Sequence, residues 1–273
     1  MEKTVLDKGY VKLIPEGTWG SDAIIIESAR MSTNKEFLGW GPLSCKKCEG
    51  RGRVEASRFV DIEYTDYTYN MDCKSCKGSG EVAGDEKLLS YLYTHSHMTP
   101  FEMAGATFEI QAPIMVFREW MRSRTQSYNE MSGRYSELPD LYYIPSIERL
   151  MAGKQSKTNK QGSGGPQEGF TEKEAFLLRS ELIYATERSR EAYERLLGYG
   201  VARELARLVI PVNQYSRMRA SANLRNWLGF LTLRLDPSAQ WEIRQFAEAV
   251  ASVLAQEFPR TFSLFQASTN VNI

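Results

Sequence analysis

All four cysteines of this chain lie in two C-x-x-C pairs, Cys45/Cys48 and Cys73/Cys76, and no other feature constrains the architecture as tightly. In a reducing compartment such pairs are more often zinc ligands than disulfides. Both pairs run on into glycines, as Cys45-Lys46-Lys47-Cys48-Glu49-Gly50-Arg51-Gly52 and Cys73-Lys74-Ser75-Cys76-Lys77-Gly78-Ser79-Gly80. Thiolates from two such turns close a tetrahedral site, while the glycines free backbone N–H groups to bond the sulfurs. Residues 41–84 therefore read as a small inserted zinc-knuckle module. Arg58 to Tyr69, rich in β-branched and aromatic residues, supplies its β-hairpin. The main domain is then 1–40 and 85–273.

The chain has 273 residues, 42% hydrophobic and 25% charged, enough for one substantial core beside that module. Lys+Arg and Asp+Glu both total 34, so net charge argues for neither a nucleic-acid surface nor a membrane patch. Any anion site must be local. No apolar run approaches the roughly 18–20 residues a membrane helix needs, and Met1-Glu2-Lys3-Thr4 lacks the apolar stretch of a signal peptide. The expected location is cytoplasmic.

From Val5 to Ile26 apolar residues alternate or cluster between turn signals, as short strands or a strand leading into a helix would. Leu88, Leu89, Leu92 and Tyr93 have helical spacing, and the breaker Pro100 follows. Ala104 to Ile110 reads as a strand, and Pro113 opens a helix from Ile114 to Arg122. Residues 151–169 cannot bury enough apolar surface to offset ordering entropy, which predicts a mobile loop. Thr171 with Glu174 is a capping-box pair that starts a long helix ending near Gly198 or Gly200. Further helices are expected around 201–209, 215–232 and 237–256.

The segment from Arg122 to Tyr135, Arg-Ser-Arg-Thr-Gln-Ser-Tyr-Asn-Glu-Met-Ser-Gly-Arg-Tyr, concentrates phosphate donors: Arg122, Arg124, Arg134 and several hydroxyls, with Gly133 free for close backbone approach. Composition alone leaves a solvated charged loop open as the other reading. The segment matches R-H-R-x-x-S-x-N-x-x-S-x-R, the signature of the flavin-dependent thymidylate synthases, everywhere except Ser123. His97 to Glu102 resembles that family's H-x-T-P-F-E, and Ala29-Arg30-Met31-Ser32 its A-R-x-S. Ala206 to Pro211, Asn223-Leu224-Arg225, Leu233-Arg234 and Gln240-Trp241-Glu242 follow in family order. Each cysteine half also resembles the knuckles of Hsp40-type chaperones.

The resemblance implies an α+β fold of that family, a helical bundle with a small antiparallel sheet. It implies that Arg134, Arg207, Ser132 and Gly133 hold the phosphate of dUMP, with Glu119, Arg122 and Glu130 also at the substrate. Arg234 is placed against the pyrimidine, where a fixed cation stabilises charge as C5 becomes nucleophilic. Ser32, His97, Thr99, Glu102, Arg122, Ser123, Arg124, Asn223, Arg225 and Ser238 line an FAD site shared between subunits of a homotetramer. In the family reaction methylenetetrahydrofolate gives the carbon, and FAD reduced by NADPH supplies the hydride.

Competing readings are weaker on the residues themselves. Ser132 as nucleophile has no identifiable base, because both histidines lie far upstream. His95 and His97 lack a third ligand at standard spacing for a metal, which favours a packed or flavin-contacting His97. A zinc deaminase requires P-C-x-x-C, and neither pair follows a proline. A structural clip is favoured for the cysteine module over a redox centre or a nucleic-acid finger, which its lysines and arginines keep open. The departures from the family, Glu119 for glutamine, Ser123, Met103 and Ser238 for histidines and Gly229 for asparagine, raise an alternative: one-carbon transfer to another pyrimidine such as dCMP, hydroxymethylation, or a binding homologue with altered chemistry.

Overall fold

The computed structural model describes residues 1–60, 65–157, 160, 162–163 and 169–269. They form two compact units, one of Met1–Trp19 with Ala104–Ile273 and one of Gly20–Met103.

The first unit is built on a five-stranded antiparallel sheet. Its strands are β1 (Glu2–Val5), β2 (Gly9–Trp19), β7 (Gly105–Pro113), β8 (Ser127–Glu130) and β9 (Tyr215–Asn223), in the order β1-β2-β7-β9-β8. In β7, Ala106, Phe108, Ile110 and Ala112 are buried while Thr107, Glu109 and Gln111 turn to the other face, the period-2 signature of a sheet covered on one side. Small residues at Ala106, Ala220 and Ala222 leave room for large aromatics. Trp227 meets Phe108 edge-on at 5.0 Å and donates its Nε1–H to the Ala106 carbonyl at 2.9 Å. Trp120 and Phe230 continue the cluster, with ring centroids 4.7 Å apart.

Six helices accompany this sheet: α3 (Ile114–Trp120), α4 (Ile147–Met151), α5 (Glu172–Gly198), α6 (Arg203–Ala206), α7 (Leu224–Arg234) and α8 (Trp241–Glu257), followed by α9 (Pro259–Thr269). In α8, Ile243, Phe246, Ala247, Val250, Ala251 and Leu254 recur at helical spacing and are all buried. The capping box opens α5: Thr171 Oγ1 accepts from the Glu174 amide at 3.3 Å, and Glu174 accepts the Thr171 amide at 2.8 Å.

Residues 215–223 are strand rather than the start of a helix. Ser216, Met218, Ala220 and Ala222 bury alternately, and nine-residue pairing with β7 overrides the helical propensity of alanine, methionine and arginine. Likewise the polar stretch after Arg122 contains β8, an edge strand. Within 151–169, Gln155 bridges Ser163 and the Ser156 amide donates to Gly162 O at 3.0 Å, while 158–159, 161 and 164–168 lie outside the described residues. Among the described residues no helix is long and apolar enough to cross a membrane.

The second unit holds α1 (Asp22–Arg30), α2 (Glu86–Thr94) and four strands. Strands β3 (Pro42–Ser44) and β6 (Glu81–Ala83) pair as a short stalk, and β4 (Arg53–Val60) pairs with β5 (Thr65–Asp72) as a hairpin. Its tip, 61–64, lies outside the described residues. The cysteine turns sit between stalk and hairpin.

Candidate active site

A cleft of about 620 Å³ in the first unit collects much of the expected phosphate machinery. Pro113 starts α3, and the amides of Ile114 and Met115 donate to Gln214 O and Val212 O, both at 2.9 Å. That fastens one wall to the segment leading into β9. Pairing of Glu130 with Met218 and a 2.8 Å bond from the Met131 amide to Arg217 O fix the opposite wall, so Glu130, Ser132 and Gly133 face the same space. Arg207 enters from a one-turn 3-10 helix, Arg207–Val209. A Cβ on Gly133 would meet the Leu138 side chain at 3.2 Å, a close contact to which Leu138 would have to give way. The Glu130 carboxyl is pushed above its ordinary value by burial, opposed by a hydrogen bond with Ser216 and by the Arg118 cation. Arg118 lines the cleft and was not singled out by its sequence context.

The remaining predicted residues of this unit lie outside that lining. Arg134 pairs with Glu204 at 3.5 Å, both half-exposed. Arg122 and Arg124 are exposed at the turn after α3. Ser123 has a buried Oγ without a protein partner, while its carbonyl accepts the Tyr128 hydroxyl at 2.6 Å. Asn223 caps α7 by accepting the Asn226 amide at 2.9 Å, and Arg225 is exposed in the first turn. Glu119 and Arg234 are partners: Arg234 Nη1 donates to Glu119 Oε2 at 3.2 Å, and Nη2 to the Glu119 carbonyl at 2.7 Å. The Arg234 side chain is 15% exposed and its buried Nε–H has no protein acceptor.

Ser238 donates to Asp236 and borders a separate cleft of about 750 Å³. Buried Glu242 there accepts Arg149 Nε at 2.8 Å and the Tyr143 hydroxyl at 3.3 Å. Burial and that carboxylate raise the Tyr143 phenol beyond the usual range.

In the second unit a cleft of about 420 Å³ lies between the end of α1 and α2. Arg30, Ser32 and Lys35 supply cations and a hydroxyl on one side; Tyr91 and His97 supply flat rings on the other. Tyr91 stacks with both imidazoles, His95 at 4.1 Å and His97 at 5.7 Å between ring centroids. The two histidines thus stack on one ring. Thr99 and Glu102 lie on the following 3-10 turn, Thr99–Met103.

The cysteines converge. Their four Sγ atoms all lie within 4.8 Å of one another, and all four residues are buried. Cys45 and Cys73 sulfurs are 3.8 Å apart, Cys48 and Cys76 3.7 Å. Tetrahedral Zn–S bonds of about 2.3 Å demand sulfur separations of roughly 3.8 Å. The bonds to sulfur and the bonds between the turns recur in both halves. The amides of Gly52 and Gly80 donate to Cys48 and Cys76 sulfur at 3.3 Å, and those of Cys45 and Cys73 donate to Gly80 O and Gly52 O at 2.8 Å. Backbone N–H donation, foremost from Cys76, pulls the Cys73 thiol down to about 7. Among the described residues this is the one group of three or more His, Cys, Asp or Glu side chains close enough to hold an ion.

Residues 16–260 match the family model described as thymidylate synthase complementing protein. The chain is 36% identical over 262 residues to a flavin-dependent thymidylate synthase of Thermus thermophilus, covering 96% of this chain and 77% of that one. Its counterpart in Thermotoga neapolitana is 32% identical over 265 residues, covering 97% and 94%. Among solved structures, the UMP/dUMP methylase PolB from Streptomyces cacaoi with 5-Br UMP bound superposes with a TM-score of 0.71 at 28% identity, covering 98% of both chains.

Proposed function

Because this chain belongs to the flavin-dependent thymidylate synthases, we propose that it converts dUMP to dTMP by reductive methylation at C5. The observation that carries this is the cleft in which Arg207, Ser132, Gly133 and Glu130 face one space. Arg207 and the Ser132 hydroxyl offer charge-assisted bonds to a phosphate, and Arg134 stands one residue beyond Gly133 to add another. Arg234 serves the pyrimidine: its partnerless Nε–H is a buried donor awaiting an acceptor, and a ring oxygen gaining charge suits it.

The donor set of the smaller cleft fits a flavin dinucleotide, with Tyr91 and His97 as stacking faces and Arg30 and Lys35 for pyrophosphate. Ser32, Thr99 and Glu102 in that unit keep their role as flavin contacts. In the other unit Arg122, Ser123, Arg124, Asn223, Arg225 and Ser238 do so. Bound FAD, reduced by NADPH, supplies the hydride that completes a methyl group begun with the methylene of methylenetetrahydrofolate. Zinc is held by Cys45, Cys48, Cys73 and Cys76 as a structural ion of the 41–84 module, in keeping with a reducing cytoplasm. A homotetramer is supported by apolar residues left bare, among them Leu208 at 78% and Val212 at 58% exposure on the rim of the substrate cleft.

One observation favours a second reading. The Glu119–Arg234 pair sets an acceptor beside a donor, which suits a pyrimidine edge presenting an amino group, so dCMP is the competing substrate. The test is turnover of dUMP and dCMP side by side with methylenetetrahydrofolate, FAD and NADPH, with products weighed and tritium release from C5 followed. Consumption of dUMP to dTMP is expected. A colourless protein that binds no flavin and releases no tritium would refute the enzyme reading.

A further inference from the structure

Asp85 is fully buried and stands at the N-cap of α2, where an aspartate ordinarily bonds the first free amides of the helix. It makes no such bond. Its Oδ1 accepts Arg30 Nε at 3.0 Å, with Arg30 Nη2 in closer contact, and its Oδ2 accepts the Leu38 amide at 2.8 Å. The carboxylate thus forgoes capping to hold the last side chain of α1 and the backbone of Leu38 in the irregular stretch that follows it.

The same place is where the chain enters and leaves the cysteine module. The Asp85 amide donates to Gly39 O at 2.9 Å, Gly84 to Gly41 O at 2.7 Å, and Gly41 to Glu86 Oε2 at 2.7 Å. The crossing is so tight that a Cβ on Gly84 would fall 2.3 Å from Gly41 O. β3 starts one residue after Gly41 and β6 ends one residue before Gly84. On the other side, Arg30 lines the cleft with Ser32, Lys35, Tyr91 and His97, and its side chain is 14% exposed. Asp85 therefore joins the two: its carboxylate holds Arg30 on a wall of the cleft, and its backbone amide bonds Gly39 O at the base of the stalk.

We propose that Asp85 is a positioning residue that latches the cysteine module to this cleft, so that metal retention in the module sets the affinity of the cleft for an aromatic, phosphorylated ligand. The closed cysteine site fixes the stalk, the stalk fixes the glycine crossing, and the crossing aims Asp85 at Arg30. Without metal the four thiols lose their common partner and the stalk loosens; Asp85 then leaves Arg30 as a buried cation without its counter-charge, which the turn after α1 must move to relieve. The ligand identity rests on the flavin reading above, whereas the latch does not.

The experiment uses the full chain purified with zinc, and Asp85→Asn, which keeps an acceptor for the Leu38 amide and removes the charge. Expected for the variant are an unchanged zinc content, FAD binding weaker by about ten-fold in a fluorescence titration, and faster amide exchange at 28–34. Stripping zinc from the wild type with a chelator should reproduce both shifts, and stripping it from Asp85→Asn should add nothing further. FAD affinity within about two-fold of wild type in the folded, zinc-loaded variant would overturn the proposal. So would unchanged exchange at 28–34 in the stripped wild type, and that arm decides alone if Asp85→Asn does not fold. A wild type that binds no FAD would refute the flavin assignment, and exchange at 28–34 would still judge the latch.

Discussion

Arg207 and Glu130 bring opposite charges to one cleft, and their substitution should be read out in different measurements. Arg207→Ala removes a charge-assisted phosphate contact and should weaken dUMP binding by about 2 kcal/mol in a calorimetric titration. Glu130 has a folded value raised above 4.5, so burying it as an anion costs stability. Stability is therefore greatest while it is protonated and falls as pH climbs from about 4.5 through the raised value. Glu130→Gln should flatten that segment of the stability–pH curve, measured by denaturant melts; an identical slope would show that Glu130 is not the titrating group. Ser132 and Gly133, marked by fixed spacing in one segment, and Arg207, marked by a second, line one cleft as their motifs led one to expect. Arg118 and Asp85 were not legible in this way. Their roles depend on what faces them across space, Glu130 from β8 and Arg30 from α1, and nothing in their local sequence encodes a partner so far along the chain.

Elements announced by chemistry that acts locally were read correctly. The Thr171 cap, the Pro113 start of α3 and the hairpin between the cysteine pairs all depend on neighbours within a few residues. β9 was not, because Tyr215–Asn223 is a central strand whose conformation is imposed by β7 and β8 on either side. The cysteine turns yield two predictions at this scale. Gly52 has φ +74 and a Cβ there would lie 2.2 Å from Gly78 O, so Gly52→Ala should prevent the two turns from closing. Metal analysis should find well under one zinc per chain in that variant. Cys73→Ser should likewise release zinc and open 41–84 to limited proteolysis, yet leave the helices of the Ala104–Ile273 segment folded by circular dichroism. Global loss of helical signal would show that the module does not fold separately.

For the molecule as a whole, the homotetramer proposed above would cover apolar residues that one chain leaves exposed. On α5, Phe176, Leu177 and Tyr184 are each at least 60% exposed, too much apolar surface for a 27-residue helix to leave in water. Leu177→Asp should shift the assembly to smaller species in light scattering, and flavin retention should fall with it if the site is shared between subunits. An unchanged mass would place the interface elsewhere. Fold class was readable from the sequence because the family motifs are colinear, whereas the compact unit runs from Gly20 to Met103, wider than the 41–84 module expected from the cysteine pairs. The assembly was implied only by resemblance, since no pattern within one chain records which of its faces meets a copy.

The mutual closure of the two cysteine turns also orders events in time. Cys45 leans on Gly80 and Cys73 on Gly52, so neither turn can be completed while the other is still unmade. At about 5–20 residues per second, a ribosome spends roughly one to six seconds on the 28 residues between partner cysteines, during which Cys45 and Cys48 are open thiols. β2 waits longer, because its partner β7 is not translated until the whole Gly20–Met103 unit has been made. On a nascent chain both cysteine turns are therefore complete before β2 can meet its own central strand, so a cysteine site left without metal would stay open from synthesis onward while the Ala104–Ile273 segment still folds.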